Sequence, residues 1–203
     1  MEAKAIILTD LDGTLLDQSS YSYEPALPAI KCLNQNEIPL VFCSSKTSVE
    51  QLYYQGLLNI NHPFIVENGS AIFIPNDYFP FAFPYDRQTN THDIIELGVH
   101  YSKLDQHVRT AREQTGAIFT RFEDLSPEEI CEITDLPNLE AAKRATRREY
   151  STTLVSGDFD SKEFQDFIQY LHSRGLHATR GTRFLTISGA ASDKGKAVLQ
   201  LLE

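Results

Sequence analysis

The stretch "AIILTDLDGTLLD", Ala5 to Asp17, runs an apolar segment straight into two carboxylates. Ala5–Leu8 reads as a fully buried parallel strand. Asp10 and Asp12 follow at its carboxyl end, where open α/β sheets bind ligands. Side chains two apart on extended backbone point the same way, so both carboxylates face one site. Like charges that close repel, and in a low-dielectric site the pair would take up a proton unless a cation relieves it. Magnesium favours carboxylate, carbonyl and water oxygen, which makes Asp10 and Asp12 candidate Mg²⁺ ligands. An acidic turn is the plainer alternative. A calcium loop also begins D-x-D, but Gly13 comes too early and the twelfth position from Asp10 is Tyr21 rather than Glu. Gly13 instead lets the chain leave the strand tightly.

Outward from this stretch, strands and helices alternate. Residues Pro25 to Asn34 read as a helix and Ile38–Cys43 as a second buried strand. A helix follows in "TSVEQLYYQGLL", then a strand at Phe64–Glu67, the turn signal Asn68-Gly69 and a returning strand at Ala71–Ile74. This order predicts an α/β fold with a mainly parallel sheet. Residues 75–93, rich in proline and aromatics, read as a linker. Beyond it an α+β module is expected. Its helices are one capped by Ser102 and running to about Gln114, one with Ser126, Pro127 and Glu129 as a capping box, a basic helix in "NLEAAKRATRREY", and one capped by Ser161 and stopped by Gly175. Its strands are "STTLVS", "LHATR" and "RFLTI", and a last helix opens at "SDKGK".

Composition narrows the function classes. A formal net charge of −10 argues against non-specific nucleic-acid or anionic-membrane binding, which needs a basic face. The three cysteines have no metal or disulfide spacing and read as reduced thiols. The first residues, "MEAKAIIL", lack a signal-peptide pattern, and no apolar run reaches transmembrane length. A cytoplasmic protein with a small-molecule partner is expected.

Three further places carry chemistry. Ser44 and Ser45 end the second strand just before a helix, where hydroxyls and free N–H groups suit a phosphate or simply cap the helix. Lys194 opens the last helix and could neutralise both a phosphate and Asp10. Glu67 and Asn68 end the third strand and could hold sugar hydroxyls or serve only the turn. A P-loop kinase is disfavoured because no G-x-x-x-x-G-K-[ST] occurs. A phospho-accepting receiver is disfavoured because Asp10 follows the first strand.

"TDLDGTLLD", a hydroxyl after the second strand and a lysine before a glycine follow the order of the haloacid dehalogenase phosphatase superfamily, which the chain resembles. "LVFCSSKTSVEQLYYQ", "PFIVENGSAIFIP", "RREYSTTLV" and "TRGTRFLTISGAASDKGKAV" look, in that order, like the mannosyl-3-phosphoglycerate phosphatase family. The similarity covers nearly the whole chain. It implies a Rossmann-like core with a parallel sheet, residues 1–79 and 187–203, and an inserted α+β cap of the C2 type, residues 80–186. It implies that Asp10 is the nucleophile and Asp12 the general acid and base. Mg²⁺ would bind the Asp10 carboxylate and the Asp12 main-chain carbonyl. Ser44, Ser45 and Lys194 would hold phosphate oxygens, and the substrate would be a phosphorylated, glycosylated glycerate.

Arg180 and Arg183 lie on the strand pair closing the cap, and one of them would meet the glycerate carboxylate through its planar fork. Lys46 and Glu67 are core-side candidates for the same organic moiety, with Asn68 beside them. Two departures from the family pattern bear on this. "TRGTRF" stands where the family usually has His-Gly-Gly-Arg-Phe, and the fourth acidic motif, Gly-Asp then Asn-Asp, is absent. The alternatives are a weakly active or non-catalytic phosphate-sugar-binding remnant, or a phosphatase of another sugar phosphate. In the family two more parallel strands follow the helix that here stops at Glu203. The first strand is therefore expected to form a sheet edge open to self-association.

Overall fold

The computed structural model describes residues 5–181 and 183–203. Residues 1–4, which open the stretch read for a signal peptide, and Thr182 of "TRGTRF" lie outside them. The first sheet is built from β1 (Ile7–Thr9), β2 (Leu40–Cys43), β3 (Phe64–Val66), β4 (Ala71–Pro75), β5 (Arg87–Gln88) and β6 (His92–Glu96), in the order β1-β2-β3-β4-β6-β5. Only β1, β2 and β3 are parallel; β4, β6 and β5 continue the sheet antiparallel. The α/β class holds, but the sheet is mixed. The segment read as a linker is part of that sheet, because His92–Glu96 pairs along the whole of β4. Residues 87–96 thus join the first sheet, although the sequence reading put them in the cap.

The buried-strand reading of Ala5–Leu8 is corrected. Among the described residues β1 is the edge, with β2 on one side only, and Ile7 and Leu8 are 40% and 36% exposed. The turn after β1 folds back through buried Leu11, Leu15 and Leu16, which join the core formed with Phe42, Phe64, Val66 and Tyr150. That burial, rather than neighbours on both sides of β1, anchors the Asp10–Asp12 segment; a fully buried leucine contributes about 1.5–3 kcal/mol.

Helix α1 (Leu27–Gln35) links β1 to β2, and α2 (Ser48–Leu58) links β2 to β3. Thr47 caps α2 in a reciprocal box with Glu50, and Asn59 ends it in the left-handed region. The remaining helices are α3 (Tyr101–Thr115), α4 (Pro127–Thr134), α5 (Leu139–Ala145), α6 (Lys162–Ser173) and α7 (Lys194–Leu202). Ser126 and Ser161 cap α4 and α6 as expected. The cap of α3 is His100 rather than Ser102: its ring nitrogen accepts from the Ser102 amide.

The second sheet, β7 (Phe119–Arg121), β8 (Ser151–Gly157), β10 (Leu185–Gly189) and β9 (Leu176–Arg180), is antiparallel throughout. Leu185 and Ile187 of β10 pack with Leu104 and Val108 of α3 and with Phe164, Phe167 and Leu171 of α6. The alternate residues Thr186 and Ser188 turn to the other face, toward the first sheet. β10 extends to Gly189, past the cap boundary read at residue 186. No helix among the described residues is long and apolar enough to cross a membrane.

Candidate active site

Three chain segments meet at the carboxyl end of β1. Asp10 leaves β1, Ser44 leaves β2, and Lys194 opens α7. Lys194 Nζ lies 2.5 Å from Asp10 Oδ2, and the Leu11 amide donates to Asp10 Oδ1 at 2.7 Å. Burial alone would raise the Asp10 pKa. The Lys194 hydrogen bond, the Leu11 amide, the Lys194 charge and the Ser44 hydroxyl together outweigh it and hold the carboxyl below its ordinary range. These contacts favour the ionised form of Asp10. Asp193 caps α7, its Oδ1 accepting from the Lys196 amide at 2.8 Å, and so fixes where Lys194 begins.

Asp12 is exposed and pairs with Lys46 at 3.0 Å; Lys46 also reaches Glu50 at 3.2 Å. Burial opposes the charge on Lys46, but Glu50 and Asp12 outweigh it and raise its pKa. Tyr21 lies over the same ammonium at 5.3 Å. Lys46 is thus buried and fixed, an orienting charge for Asp12.

Gly69 explains how α7 reaches Asp10. At φ +90 it follows Glu67 and Asn68, both also left-handed, in the turn between β3 and β4. A Cβ there would sit 2.3 Å from the Asp193 carbonyl carbon and 2.6 Å from the Lys194 amide. Gly69→Ala is expected to push α7 outward and part Lys194 from Asp10. It should cost about 1–3 kcal/mol of stability from strain alone and lower turnover well beyond the loss in folded protein. A variant with shifted thermal midpoint but unchanged turnover per folded molecule would show that the close approach does not set Lys194.

A cleft of about 870 Å³ opens from this point between the two sheets. It places Asp12, Ser45, Lys46, Asn68 and Lys194 opposite Arg183 and Arg148. Ser44 lies beneath it, fully buried, its oxygen accepting from the Lys46 amide at 3.4 Å.

Two of the residues read as substrate ligands are not brought to the cleft. Glu67 is 1% exposed, and its carboxylate accepts from the Glu149 amide at 2.7 Å, the Tyr150 amide at 3.2 Å and the Ser151 hydroxyl at 2.5 Å. It ties the β3–β4 turn to the start of β8. Burial raises its pKa against the lowering by Arg148 and those three donors. Arg180 faces away because it registers with Leu185, whose side chain belongs to the helix-covered face. Arg183 does line the cleft, but its guanidinium is held by Asp135 at 2.6 Å.

Residues the sequence reading missed complete the wall: Arg148, Thr153, Thr179, Thr186 and Ser188. The alternation Leu185-Thr186-Ile187-Ser188 carried the signal for the last pair. Nothing in Arg147-Arg148 tells which arginine turns inward. Among the described residues, no group of three or more His, Cys, Asp or Glu side chains is placed to hold a metal.

A model of the haloacid dehalogenase-like hydrolases matches residues 7–203. The chain belongs to this hydrolase family. A glucosyl-3-phosphoglycerate/mannosyl-3-phosphoglycerate phosphatase of Methanococcoides burtonii is 41% identical over 200 residues, covering 98% of this chain and 72% of the relative. A mannosyl-3-phosphoglycerate phosphatase of Pyrococcus furiosus is 38% identical over 198 residues, covering 98% and 77%. The hydrolase also shares its fold with a haloacid dehalogenase-like hydrolase from Bacteroides thetaiotaomicron, at TM-score 0.63 and 16% identity over 99% of this chain and 76% of that one.

Proposed function

We propose that the protein is a magnesium-dependent phosphatase that cleaves the phosphomonoester of a glycosylated glycerate through an aspartyl-phosphate. Mannosyl-3-phosphoglycerate is the leading substrate, as in the relatives' names. The observation that carries this reading is the convergence of Asp10, Ser44 and Lys194 at the strand ends, with Asp12 facing the cleft beside them.

Asp10 attacks phosphorus as the ester P–O bond breaks, and Asp12 gives a proton to the departing alkoxide. Asp12 then takes a proton from water, which attacks the aspartyl-phosphate, releases phosphate and restores the Asp10 carboxylate. Ser44, Ser45 and Lys194 hold the non-bridging oxygens, over which the transition-state charge spreads. The first sheet with α7 acts as the catalytic core, and the second sheet with its helices acts as the cap over the leaving group.

The Asp10 carboxylate and the Asp12 main-chain carbonyl would hold magnesium. Both are hard oxygens on one loop, and magnesium is ordinarily bound through one or two carboxylates with phosphate and water as the rest of its shell. When bound it would neutralise charge on the phosphoryl group. With so few protein ligands, half-saturation is expected in the millimolar range. Sub-micromolar Mg²⁺ affinity in calorimetry would reveal ligands that this arrangement lacks.

The test is phosphate release from synthetic mannosyl- and glucosyl-3-phosphoglycerate, with Mg²⁺ and with chelator, alongside p-nitrophenyl phosphate. Magnesium-dependent release is expected. The short donor set favours a second reading, a weakly active phosphate-sugar-binding protein. Substrate binding without turnover at saturating Mg²⁺ would select it.

A further inference from the structure

Two polar atoms in the cleft wall are buried and have no hydrogen-bond partner among the described residues: Arg148 Nε and Thr153 Oγ1. Buried polar groups are almost always satisfied, so two orphan atoms just behind the wall of one cleft, on residues that line it, mark a place where these side chains would turn to meet a ligand. Arg148 is well fixed. Its Nη1 donates to the Ser151 hydroxyl at 3.0 Å and to the Ser45 carbonyl at 3.4 Å. The buried acid Glu67 feels the Arg148 charge, but its oxygens are already taken by the Glu149 and Tyr150 amides and the Ser151 hydroxyl. Thr153 is 3% exposed, and its strand position registers with Thr186, which registers in turn with Thr179. The cleft face of the cap sheet therefore carries a cross-strand row of hydroxyls, Thr153, Thr186 and Thr179, with Ser188 two residues along.

We infer that Arg148 binds the substrate carboxylate through its free Nε edge and that the Thr153–Thr186–Thr179 row receives the sugar. This rests on the phosphatase reading and replaces the sequence assignment of the carboxylate to Arg180 or Arg183. The order along the cleft matches the chemistry. In a 3-phosphoglycerate ester the carboxylate is separated from the phosphate-bearing carbon by a single carbon, and the sugar branches from that carbon. Arg148 likewise touches Ser45, at the phosphate end, and the hydroxyl row lies beyond it. A guanidinium edge suits a planar carboxylate. Threonine hydroxyls, which both donate and accept, suit a polyol.

The test measures kcat/KM for mannosyl-3-phosphoglycerate and for the matching mannosylglycerol phosphate, which lacks the carboxylate, in the full chain and in Arg148→Lys, Arg148→Met and Thr153→Val. Hydrolysis of p-nitrophenyl phosphate by each variant shows that the catalytic centre works; its absence in the parent chain would reject the phosphatase reading itself. The parent should prefer the carboxylated ester. Arg148→Met should lose at least tenfold on that ester, mainly in KM, and less than twofold on the analogue. Arg148→Lys keeps a positive charge near Glu67 without the Nε edge, and should also lose the preference while folding normally. Thr153→Val should lose several-fold on both sugar esters but not on p-nitrophenyl phosphate. Equal losses on ester and analogue, or a full preference retained by Arg148→Lys, would overturn the carboxylate assignment and leave Arg148 as a counter-charge for Glu67. If Arg148→Met does not fold, the lysine and valine variants decide.

Discussion

Asp10→Asn is expected to lower turnover on the order of 10⁵-fold with the fold intact. The neutral amide keeps one oxygen, which can still accept from the Leu11 amide at 2.7 Å, while its NH2 replaces the oxygen that meets Lys194 at 2.5 Å, a contact at the edge of the site that the fold does not depend on. What it loses is the negative charge that attacks phosphorus. Removing Lys194 instead, as Lys194→Met, takes away one charge-stabilising donor and should cost roughly 10²–10³-fold. The ordering of these two losses is the informative part. Single-turnover phosphate release, with mass spectrometry of the acid-quenched protein, should find the parent chain phosphorylated on the Asp10 peptide and the asparagine variant unmodified. A folded Asp10→Asn protein with near-parent rates would remove this residue as the nucleophile.

Glu67→Ala should be the most destabilising single change near the site. It strands the amides of Glu149 and Tyr150 and the Ser151 hydroxyl, and it leaves Arg148 without its buried counter-charge. Breaking a buried charged network in this way costs about 3–5 kcal/mol, or a fall in thermal midpoint of about 10 °C for a chain of this size. Glu67→Gln keeps one acceptor oxygen and should lose roughly half as much. Urea unfolding followed by circular dichroism measures both. An alanine variant within about 1 kcal/mol of the parent would mean that the turn and β8 are held together by something else.

The placement of Asp10 and Asp12 was legible because a strand, two carboxylates at i and i+2 and a glycine form a local pattern whose geometry does not depend on the rest of the chain. Ser44, Ser45 and Lys194 were legible for a similar reason: each sits at an element terminus, and termini at one edge of an α/β sheet converge. Glu67 was not. Its sequence context is a turn, and only the fold reveals that residues 149–151 arrive with three donors aimed at it. Arg180 failed because facing is set by register, and one residue of offset separates the cleft-lining Thr179 from it. The β6 strand was hidden by the proline- and aromatic-rich run before it. Its own residues, "HDIIE", are too few to show a period, and it forms where β4 offers a free edge.

Among the described residues β1 pairs only with β2, which bears on how Asp10 is held. The Ile7 amide donates to the Pro39 carbonyl at 2.9 Å, so the intervening Leu8 amide points to the open side of the ladder. Strands with few buried contacts and solvent-facing amides open locally at low free energy. Three residues of strand alone would hold Asp10 loosely. Its position is set from beyond the strand, by the Leu11–Leu16 fold-back and by the grip of Lys194, a residue 184 places along the chain. Asp10 is thus clamped from its C-terminal side, so that disturbing the fold-back or α7 moves the carboxylate more than disturbing β1 does.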